Sequence, residues 1–347
     1  MIGRRYILIS LAVLTPILII VGCVKRKETI TVKPDGAVTV AIEYEGDKAD
    51  FEKGDAMPSP ASGWKVSREV EQKEDNKQEV KLTGERTFHA REELPGSYAA
   101  PSDPDAGTYL KFPTTLTREQ RKDGVYLTFR RVYVPREWAY VQFWADHIID
   151  DDVKELGEKK AEELSLEERA ELLQAFARVE AHKQIELAQR AVKDADDKLK
   201  PDHWLLARQA LLKVYQEGID WNEVAQRVES LSSEDRERFF EREATRIMEE
   251  AHRAFTASLK RDAGYDDDGL ARFEAAYQRA RKFYEVTNQL GGHAFEIEVD
   301  MPGTIVAHNG DKEEDGTVQW EFEGSAFRDR PYELLVTSRL PLDRSEK

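Results

Sequence analysis

Apolar and polar residues alternate over the first third of the chain, which is the period of a half-buried β-strand. The clearest segments are Lys27–Lys33 and Ala37–Glu45, and Pro34-Asp35-Gly36 between them has the composition of a tight turn. The stretches Asp47–Gly63 and Pro95–Gly107 lack this alternation and are predicted to be loops. Four further strands are predicted at Trp64–Val70, Glu79–His89, Thr108–Phe112 and Val125–Val134.

After Pro135 the apolar period becomes that of an α-helix. Ser165-Leu-Glu-Glu168 is a capping box that opens a long helix, Ser232 and Asp235 open a second, and a third follows Gly269. Shorter helices are predicted at Arg136–Leu156, Asp202–Gln216 and Trp221–Leu231. The long helices carry apolar seams at spacings of three and four, which predicts an antiparallel bundle. The seam positions are Ile185, Ala188, Val192, Ala195 and Leu199, then Phe240, Ala244, Ile247, Ala251 and Phe255, then Leu270, Phe273, Tyr277, Ala280, Tyr284 and Thr287.

The strand pattern returns after Gly291-Gly292, at Ala294–Val299, Thr317–Glu323 and Tyr332–Leu340. About three strands form no stable sheet with a core of their own, so these strands are expected to complete the N-terminal sheet. The predicted fold class is therefore α+β. An antiparallel β domain is built from residues 23–135 and 292–347, and a long helical-bundle insertion, residues 136–291, interrupts it.

The chain begins with a short basic segment and an apolar run from Ile7 to Val21. This run is shorter than the roughly 20 residues of a membrane-spanning helix and has the length of a signal-peptide core. It ends in Ile20-Val21-Gly22-Cys23, which matches the lipobox of bacterial lipoproteins. That resemblance implies a diacylglycerol on Cys23 and removal of residues 1–22 as a lipoprotein signal peptide. The alternative is an ordinary signal peptide with a chance cysteine, but Cys23 is the only cysteine in the chain.

The net charge and the predicted lipid anchor indicate which class of partner the protein has. Removing residues 1–22, which hold two arginines and no acid, changes the net charge from −16 to −18. A strongly acidic, exported protein is a poor ligand for nucleic acid, so none is expected. The expected partner is a membrane, held through the lipid anchor on Cys23. Val24 follows that cysteine where some retained lipoproteins carry an aspartate, which favours the outer membrane or the periplasmic face of the envelope.

Both β segments resemble LppM-type lipoprotein domains. At the start, Cys23 is followed by Ile30-Thr-Val-Lys-Pro-Asp35-Gly36-Ala-Val38, and such domains place a strand, an Asp-Gly turn and a second strand after the lipidated cysteine. Near the end, Met301-Pro302-Gly303, Asn309-Gly310 and Asp315-Gly316-Thr-Val-Gln-Trp320 resemble the last part of the same domain type. The resemblance implies a non-enzymatic protein and transfers no catalytic residue. The long helical segment departs from the shorter family pattern.

Two short motifs invite a catalytic interpretation. Ser62-Gly-Trp-Lys65 matches the Ser-x-x-Lys of penicillin-recognising enzymes, but it follows a loop and enters a predicted strand, whereas the motif needs a helix start. Glu249-x-x-His252 lies within a predicted helix, but a di-iron site requires a second copy of that motif. No catalytic residue, metal site or cofactor is therefore predicted, and Glu249 and His252 are expected to be solvated.

Two acidic triplets invite a calcium interpretation. Asp266-Asp267-Asp268-Gly269 does not fit an EF-hand, because a loop with Gly269 at its sixth position would begin and end on the wrong residues. These aspartates are expected to cap the following helix. Asp150-Asp151-Asp152 is expected to be a solvated turn.

Four aromatic residues follow the last N-terminal strand: Trp138, Tyr140, Phe143 and Trp144. Core packing between the sheet and the helices explains them most simply. The alternative is a pocket or interface for a lipid or another apolar ligand.

Two classes of function follow. The favoured hypothesis is a non-catalytic, membrane-anchored envelope lipoprotein that presents its helical module to a partner protein or an apolar ligand. The alternative is an envelope hydrolase or metal-dependent enzyme whose site is assembled from scattered residues. The chain's seven histidines leave that alternative few options.

Overall fold

The computed structural model describes residues 24–73, 78–137, 147–159, 163–195 and 199–342. Residue contacts divide the chain into two compact units, with boundaries between Trp138 and Ala139 and between Lys282 and Phe283. The β unit combines the N-terminal and C-terminal parts of the chain, and the helical unit lies between them in sequence. Each unit is described below by itself.

Eleven strands are present among the described residues of the β unit. They form a seven-stranded sheet in the order β3-β4-β2-β1-β7-β10-β9 and a four-stranded sheet in the order β5-β6-β11-β8. The strands are β1 Lys25–Val32, β2 Val38–Asp47, β3 Lys65–Gln72, β4 Gln78–Phe88, β5 Thr114–Arg121, β6 Gly124–Tyr133, β7 Ala294–Asp300, β8 Thr304–His308, β9 Lys312–Glu314, β10 Thr317–Glu323 and β11 Tyr332–Leu340.

Strands from the two ends of the chain pair in both sheets, as predicted. In the larger sheet β1 pairs with β7, with Lys25 opposite Ala294, and in the smaller one β6 pairs antiparallel with β11. The β1–β7 pair is parallel, whereas the other pairs between the described strands are antiparallel. A parallel pair needs a long crossover connection, and the chain between Val32 and Ala294 supplies one.

One apolar core fills the β unit and draws residues from both sheets. β1 and β6 each turn alternate side chains inward, the ordinary consequence of the strand period. Val286 and Leu290, at the end of the last helix, are also fully buried in this core. Residues 283–290 therefore belong to the β unit although they are helical.

Three features of the β unit differ from the prediction. The segment Thr108–Phe112 is not a strand; the strand of that region is β5, which is almost entirely exposed and polar. β8 and β9 were not predicted, because they are short and exposed. A short helix, α1 Lys48–Lys53, lies in the stretch predicted as loop. These elements carry little apolar alternation, the signal on which the prediction depends.

The further helices with both ends in the described residues are α2 Asp151–Glu158, α3 Leu166–Ala195, α4 Pro201–Glu217, α5 Trp221–Glu229, α6 Ser233–Asp262 and α7 Asp267–Leu290. α4 packs on α6, and α3 packs on α2, α4 and α5. One apolar cluster joins α2 to α3 and includes Val153 and Leu172. Another joins α3, α5 and α6 through Leu173, Val228 and Phe240.

The predicted helix signals are present in the helical unit. Ser165 and Glu168 form the reciprocal bonds of a capping box, and the Ser232 hydroxyl accepts from the Asp235 amide. Each seam contributes buried residues, among them Ile185, Ala251 and Phe273. Two boundaries were wrong. The first long helix is described through Ala195 and Leu199 is not helical, and Arg136 is extended and bridged to Arg328 instead of starting a helix.

Candidate functional site

The residues proposed from sequence as lipid-bearing or ligand-contacting are Cys23, Trp138, Tyr140, Phe143 and Trp144. All five lie outside the described residues. Three other groups of polar side chains stand out within the described part of the chain. Two are in the β unit and one is in the helical unit.

The first group is a buried charge network that starts on β1. Arg26 is 1% exposed, and its Nη1 donates to Asp55 Oδ2 at 2.9 Å. The second oxygen of Asp55 accepts from the Leu110 amide at 2.8 Å, which holds the buried but irregular segment around Leu110. The Arg26 guanidinium also lies over the rings of Tyr44 and Phe295, at 5.4 and 5.5 Å from their centroids.

The same network continues two residues along β1. Glu28 Oε2 accepts from Arg131 Nη1 at 2.7 Å, and Glu28 Oε1 accepts from the Tyr44 hydroxyl at 2.5 Å. Arg131 Nε donates to the Thr114 hydroxyl at 3.1 Å. These bonds join β1 and β2 of the larger sheet to β5 and β6 of the smaller one. The network is thus an ionic cross-link between the two sheets.

The environment favours the charged forms of Glu28 and Arg26. Burial opposes ionisation of Glu28, but the charge of Arg131 and the bond from Tyr44 outweigh it, so the pKa of Glu28 is lowered. Burial likewise opposes the charge on Arg26, and Asp55 more than offsets this, so the pKa of Arg26 is raised. The stability that Glu28 contributes is present above the pKa of an unfolded glutamate. It is lost as the pH falls through the lower pKa of the folded state.

His293 lies beside this network, at the residue before β7. It is fully buried, and neither ring nitrogen has a hydrogen-bond partner among the described residues. Burial, aided by the nearby charge of Arg26, lowers the pKa of His293 well below its usual value. The ring is therefore neutral at physiological pH and acts as a packing residue.

The second group surrounds Arg136, where the chain leaves the β unit. Its Nε donates to the Thr287 hydroxyl at 2.8 Å, and its Nη2 donates to the carbonyls of Thr108 at 2.8 Å and Phe283 at 3.0 Å. Burial lowers the pKa of Arg136 to about 10. Its backbone also bonds to Phe327 and Asp329. Arg136 therefore holds together the exit of one β segment and the last turns of α7, which lead into the other.

The third group lies in the helical unit around His252. Its Nε2 is 2.7 Å from Glu274 Oε2, and its ring packs on Phe273 and Tyr277. The Tyr277 hydroxyl donates to Gln184 Oε1. These contacts link α3, α6 and α7 on the edge of an aromatic cluster. The expectation that His252 is simply solvated was wrong, because a partner on a neighbouring helix holds its ring.

The residues of the two short motifs have local contacts. The Ser62 hydroxyl donates to the Ser59 carbonyl at the end of a 3₁₀ turn, and Lys65 opens an exposed strand, so this serine does not stand at the helix start that the Ser-x-x-Lys motif requires. Glu249 Oε2 lies 3.9 Å from Arg253 Nη1, and the partner of His252 is Glu274 instead. No group of three metal-ligating side chains is found in the part of the chain that the structure describes.

The acidic triplets serve as helix caps. Asp266 Oδ1 accepts from the Gly269 amide at 2.7 Å, as predicted. Asp150 Oδ1 accepts from the Val153 amide at 3.0 Å and caps α2, which corrects the expectation of a solvated turn. Asp151 and Asp152 then lie in the first turn of that helix, where carboxylates interact favourably with its dipole.

Arg26, Glu28 and Arg131 were not singled out from sequence, although a signal for them exists. Arg26 and Glu28 have the same strand parity as the buried Ile30, and Arg131 has the same parity as the buried Phe129. A charged residue at an inward-facing position must be paired to be tolerated. Opposite charges at inward positions of two predicted strands therefore indicate a buried ion pair.

One surface feature accompanies these groups. An open depression of about 500 Å³ lies on strands β2, β3 and β4, and is lined by Ala41, Ile42, Lys65, Val66, Ser67, Thr83, Gly84 and Glu85. It brings together none of the groups above. Among the described helices, none combines the length and apolar character needed to cross a bilayer.

No protein-family model matches the chain, and no curated protein matches it. Among solved structures, the chain is similar to the NMR structure of the folded domain of the Mycobacterium tuberculosis LppM protein. The alignment has 11% sequence identity and a TM-score of 0.27, and covers 96% of this chain and 99% of that one. A TM-score this low does not establish a shared fold.

Proposed function

We propose that this protein is an exported envelope lipoprotein, anchored by acyl chains on Cys23, that acts by presenting its helical unit and not by catalysis. The observation that carries the proposal is the position of the lipobox. Ile20-Val21-Gly22-Cys23 stands directly before Val24, the first residue of the described β unit, and Val24 is fully buried. A lipid on Cys23 would thus attach the membrane anchor to the start of the fold.

The state of the buried ionisable groups favours a non-catalytic role. Glu28 and Asp55, at the centre of the β unit, have both carboxylate oxygens occupied by bonds from other side chains or from the backbone. A general acid or base needs an oxygen or nitrogen that can reach a substrate. The alternative, an envelope hydrolase or metal enzyme, would require these groups to give up structural bonds.

The helical unit is the part proposed to meet a partner. Its outer positions are dense in Glu, Lys and Arg, and α4 exposes the adjacent side chains of Leu205 and Leu206. An envelope partner protein could form ion pairs with the charged side chains and bury the exposed leucines. An apolar ligand near Trp138 and Trp144 is the other form of this proposal.

The experiment is metabolic labelling with a tagged fatty acid. Wild type is expected to carry label, and Cys23→Ser is expected to lose it and to remain an uncleaved precursor. Val21→Ala, which preserves the lipobox pattern, is the matched control and should be labelled like wild type. Persistent label in Cys23→Ser would contradict the anchor. Fractionation of the labelled protein then tests the proposed placement in the outer membrane or on the periplasmic face.

A further inference from the structure

The proposed lipid anchor on Cys23 is joined directly to the folded β unit, with no flexible linker between them. Val24, the residue after Cys23, is fully buried, and its carbonyl accepts a hydrogen bond from the Ala294 amide at 3.1 Å. β1 begins at the next residue, Lys25. One residue of chain spans at most about 3.6 Å, so an anchor on Cys23 is held close to the start of β1.

β1 lies in the middle of the larger sheet, so its start identifies one end of that sheet. Lys25 is opposite Glu45 near the end of β2 and opposite Ala294 at the start of β7, and Ala294 is opposite Glu323 at the end of β10. All four residues are exposed and form one row across the outward face of the sheet, at the level where β1 begins. We call this row the anchor end.

β1 is also fixed along its axis. Arg26 is bonded to Asp55, and Glu28 is bonded to Arg131 on the other sheet. Peeling the first residues of β1 away from the sheet would separate two buried ion pairs, which is strongly unfavourable. The start of β1 therefore does not unfold to provide a flexible tether.

We infer that the anchor end is a membrane-contacting surface, and that it lies against the phospholipid headgroups when the protein is anchored. The inference depends on the proposed lipidation of Cys23. The partner is the bilayer surface, because a tether of one residue at the anchor end leaves no distance between that surface and the headgroups.

The contact is set by the tether and not by charge. Lys25 is close to Glu296, and Glu45 and Glu323 place negative charge at the same end. The mature chain carries a net charge of −18, which gives it no attraction to anionic lipids. Orientation on the membrane should therefore be the same on neutral vesicles at low and at high salt.

The test uses the single cysteine of the chain. In the natively lipidated protein Cys23 is blocked, so an added cysteine can be labelled alone with a fluorophore. Glu45→Cys places the label at the anchor end. Lys33→Cys, an exposed site just beyond the other end of β1, is the matched control. Eight residues of extended chain place Lys33 about 26 Å from Lys25, which is the residue opposite Glu45. Thermal melting against the parent protein checks that both variants fold.

Both proteins are reconstituted in phosphatidylcholine vesicles that contain a headgroup-attached nitroxide quencher. Quenching at position 45 is expected to be several-fold stronger than at position 33, with no dependence on salt. Ten Gly and Ser residues inserted between Cys23 and Val24 should largely remove the difference, because such a linker extends about 17 Å. Equal or reversed quenching, or a difference that the linker leaves intact, would overturn the inference. Fatty-acid labelling of the same protein separates this failure from failure of the proposed anchor.

Discussion

The β unit and the helical unit place their polar side chains differently. In the β unit, Arg26, Glu28 and Arg131 lie at the centre of the core, each at 2% exposure or less. In the helical unit, His252 and Glu274 meet at the edge, with side chains 24% and 45% exposed. Buried polar side chains of the helical unit, such as Gln184 and Ser258, are uncharged, and aromatic rings stack in its interior, as Phe255 does on Phe273.

The difference shows how each unit specifies its structure. The ion pair of the β unit joins residues 103 positions apart, and it forms only if β1 and β6 both turn the correct face inward. A slip of one residue in either strand would turn that strand's charge outward and leave its partner buried without a counter-charge, so the pair reinforces the register. The helical unit depends instead on seams and caps between residues three or four apart. The structure of the helical unit is therefore specified mainly by residues close together in sequence.

The largest expected effect concerns the boundary between the units. Replacing residues 138–282 by a short Gly-Ser linker should leave a folded β unit, because Phe283 to Leu290 are retained. Extending the replacement through residue 292 removes Val286 and Leu290, each worth about 1.5–3 kcal/mol of apolar burial, and the Thr287 partner of Arg136. This variant is expected to unfold. Circular dichroism and thermal melting compare the two deletions, and equal stability would contradict the assignment of the last turns of α7 to the β unit.

A smaller effect is expected from breaking the central ion pair. Arg131→Met leaves Glu28 buried without its cation, which should lower the free energy of unfolding by about 3–5 kcal/mol. The matched control is Lys81→Met, whose partner Glu43 is 50% exposed on the outer face; this change should cost less than about 1 kcal/mol.

Urea unfolding measures both losses. The double variant Glu28→Leu/Arg131→Met should recover much of the stability, because it leaves no unpaired charge in the core. A loss no larger in Arg131→Met than in Lys81→Met would show that the buried pair does not hold the sheets together.

The smallest effect is expected from the capping box of the helical unit. Ser165→Ala removes the bond to the Glu168 amide and should cost about 1 kcal/mol, confined to the helical unit. Ser67→Ala, at an exposed position on β3, is the control and should change little. Hydrogen exchange locates the change. Faster exchange in β1 or β6 of Ser165→Ala would mean that the two units unfold together.

Much of the architecture could be predicted from local patterns. The strand alternation located β1, β2 and β6, and the capping signals located the starts of α3 and α6. Pairing of the two ends of the chain followed from the need of three C-terminal strands for a larger sheet. β5 was missed because an exposed edge strand such as Thr114–Arg121 needs no apolar face.

The polar groups were harder to predict, for a different reason. Arg136 bonds to atoms of Thr108, Phe283 and Thr287, and no local pattern places those segments side by side. His252 was considered with Glu249 because they share a helix turn, but its partner is Glu274 on α7. Sequence spacing identifies neighbours within one element only.

The sequence by itself determined the α+β class, the β–helix–β order of the three main segments, and the predicted lipobox at Cys23. Each of these depends on the spacing of apolar and polar residues along the chain or on a contiguous sequence motif. The tertiary structure decided that β1 pairs parallel with β7, that Glu28 faces Arg131, and that the end of α7 packs with the sheets. The first two contacts join residues more than 100 positions apart. Their selection depends on which charges and apolar side chains are buried together, and that is settled only when the whole core forms.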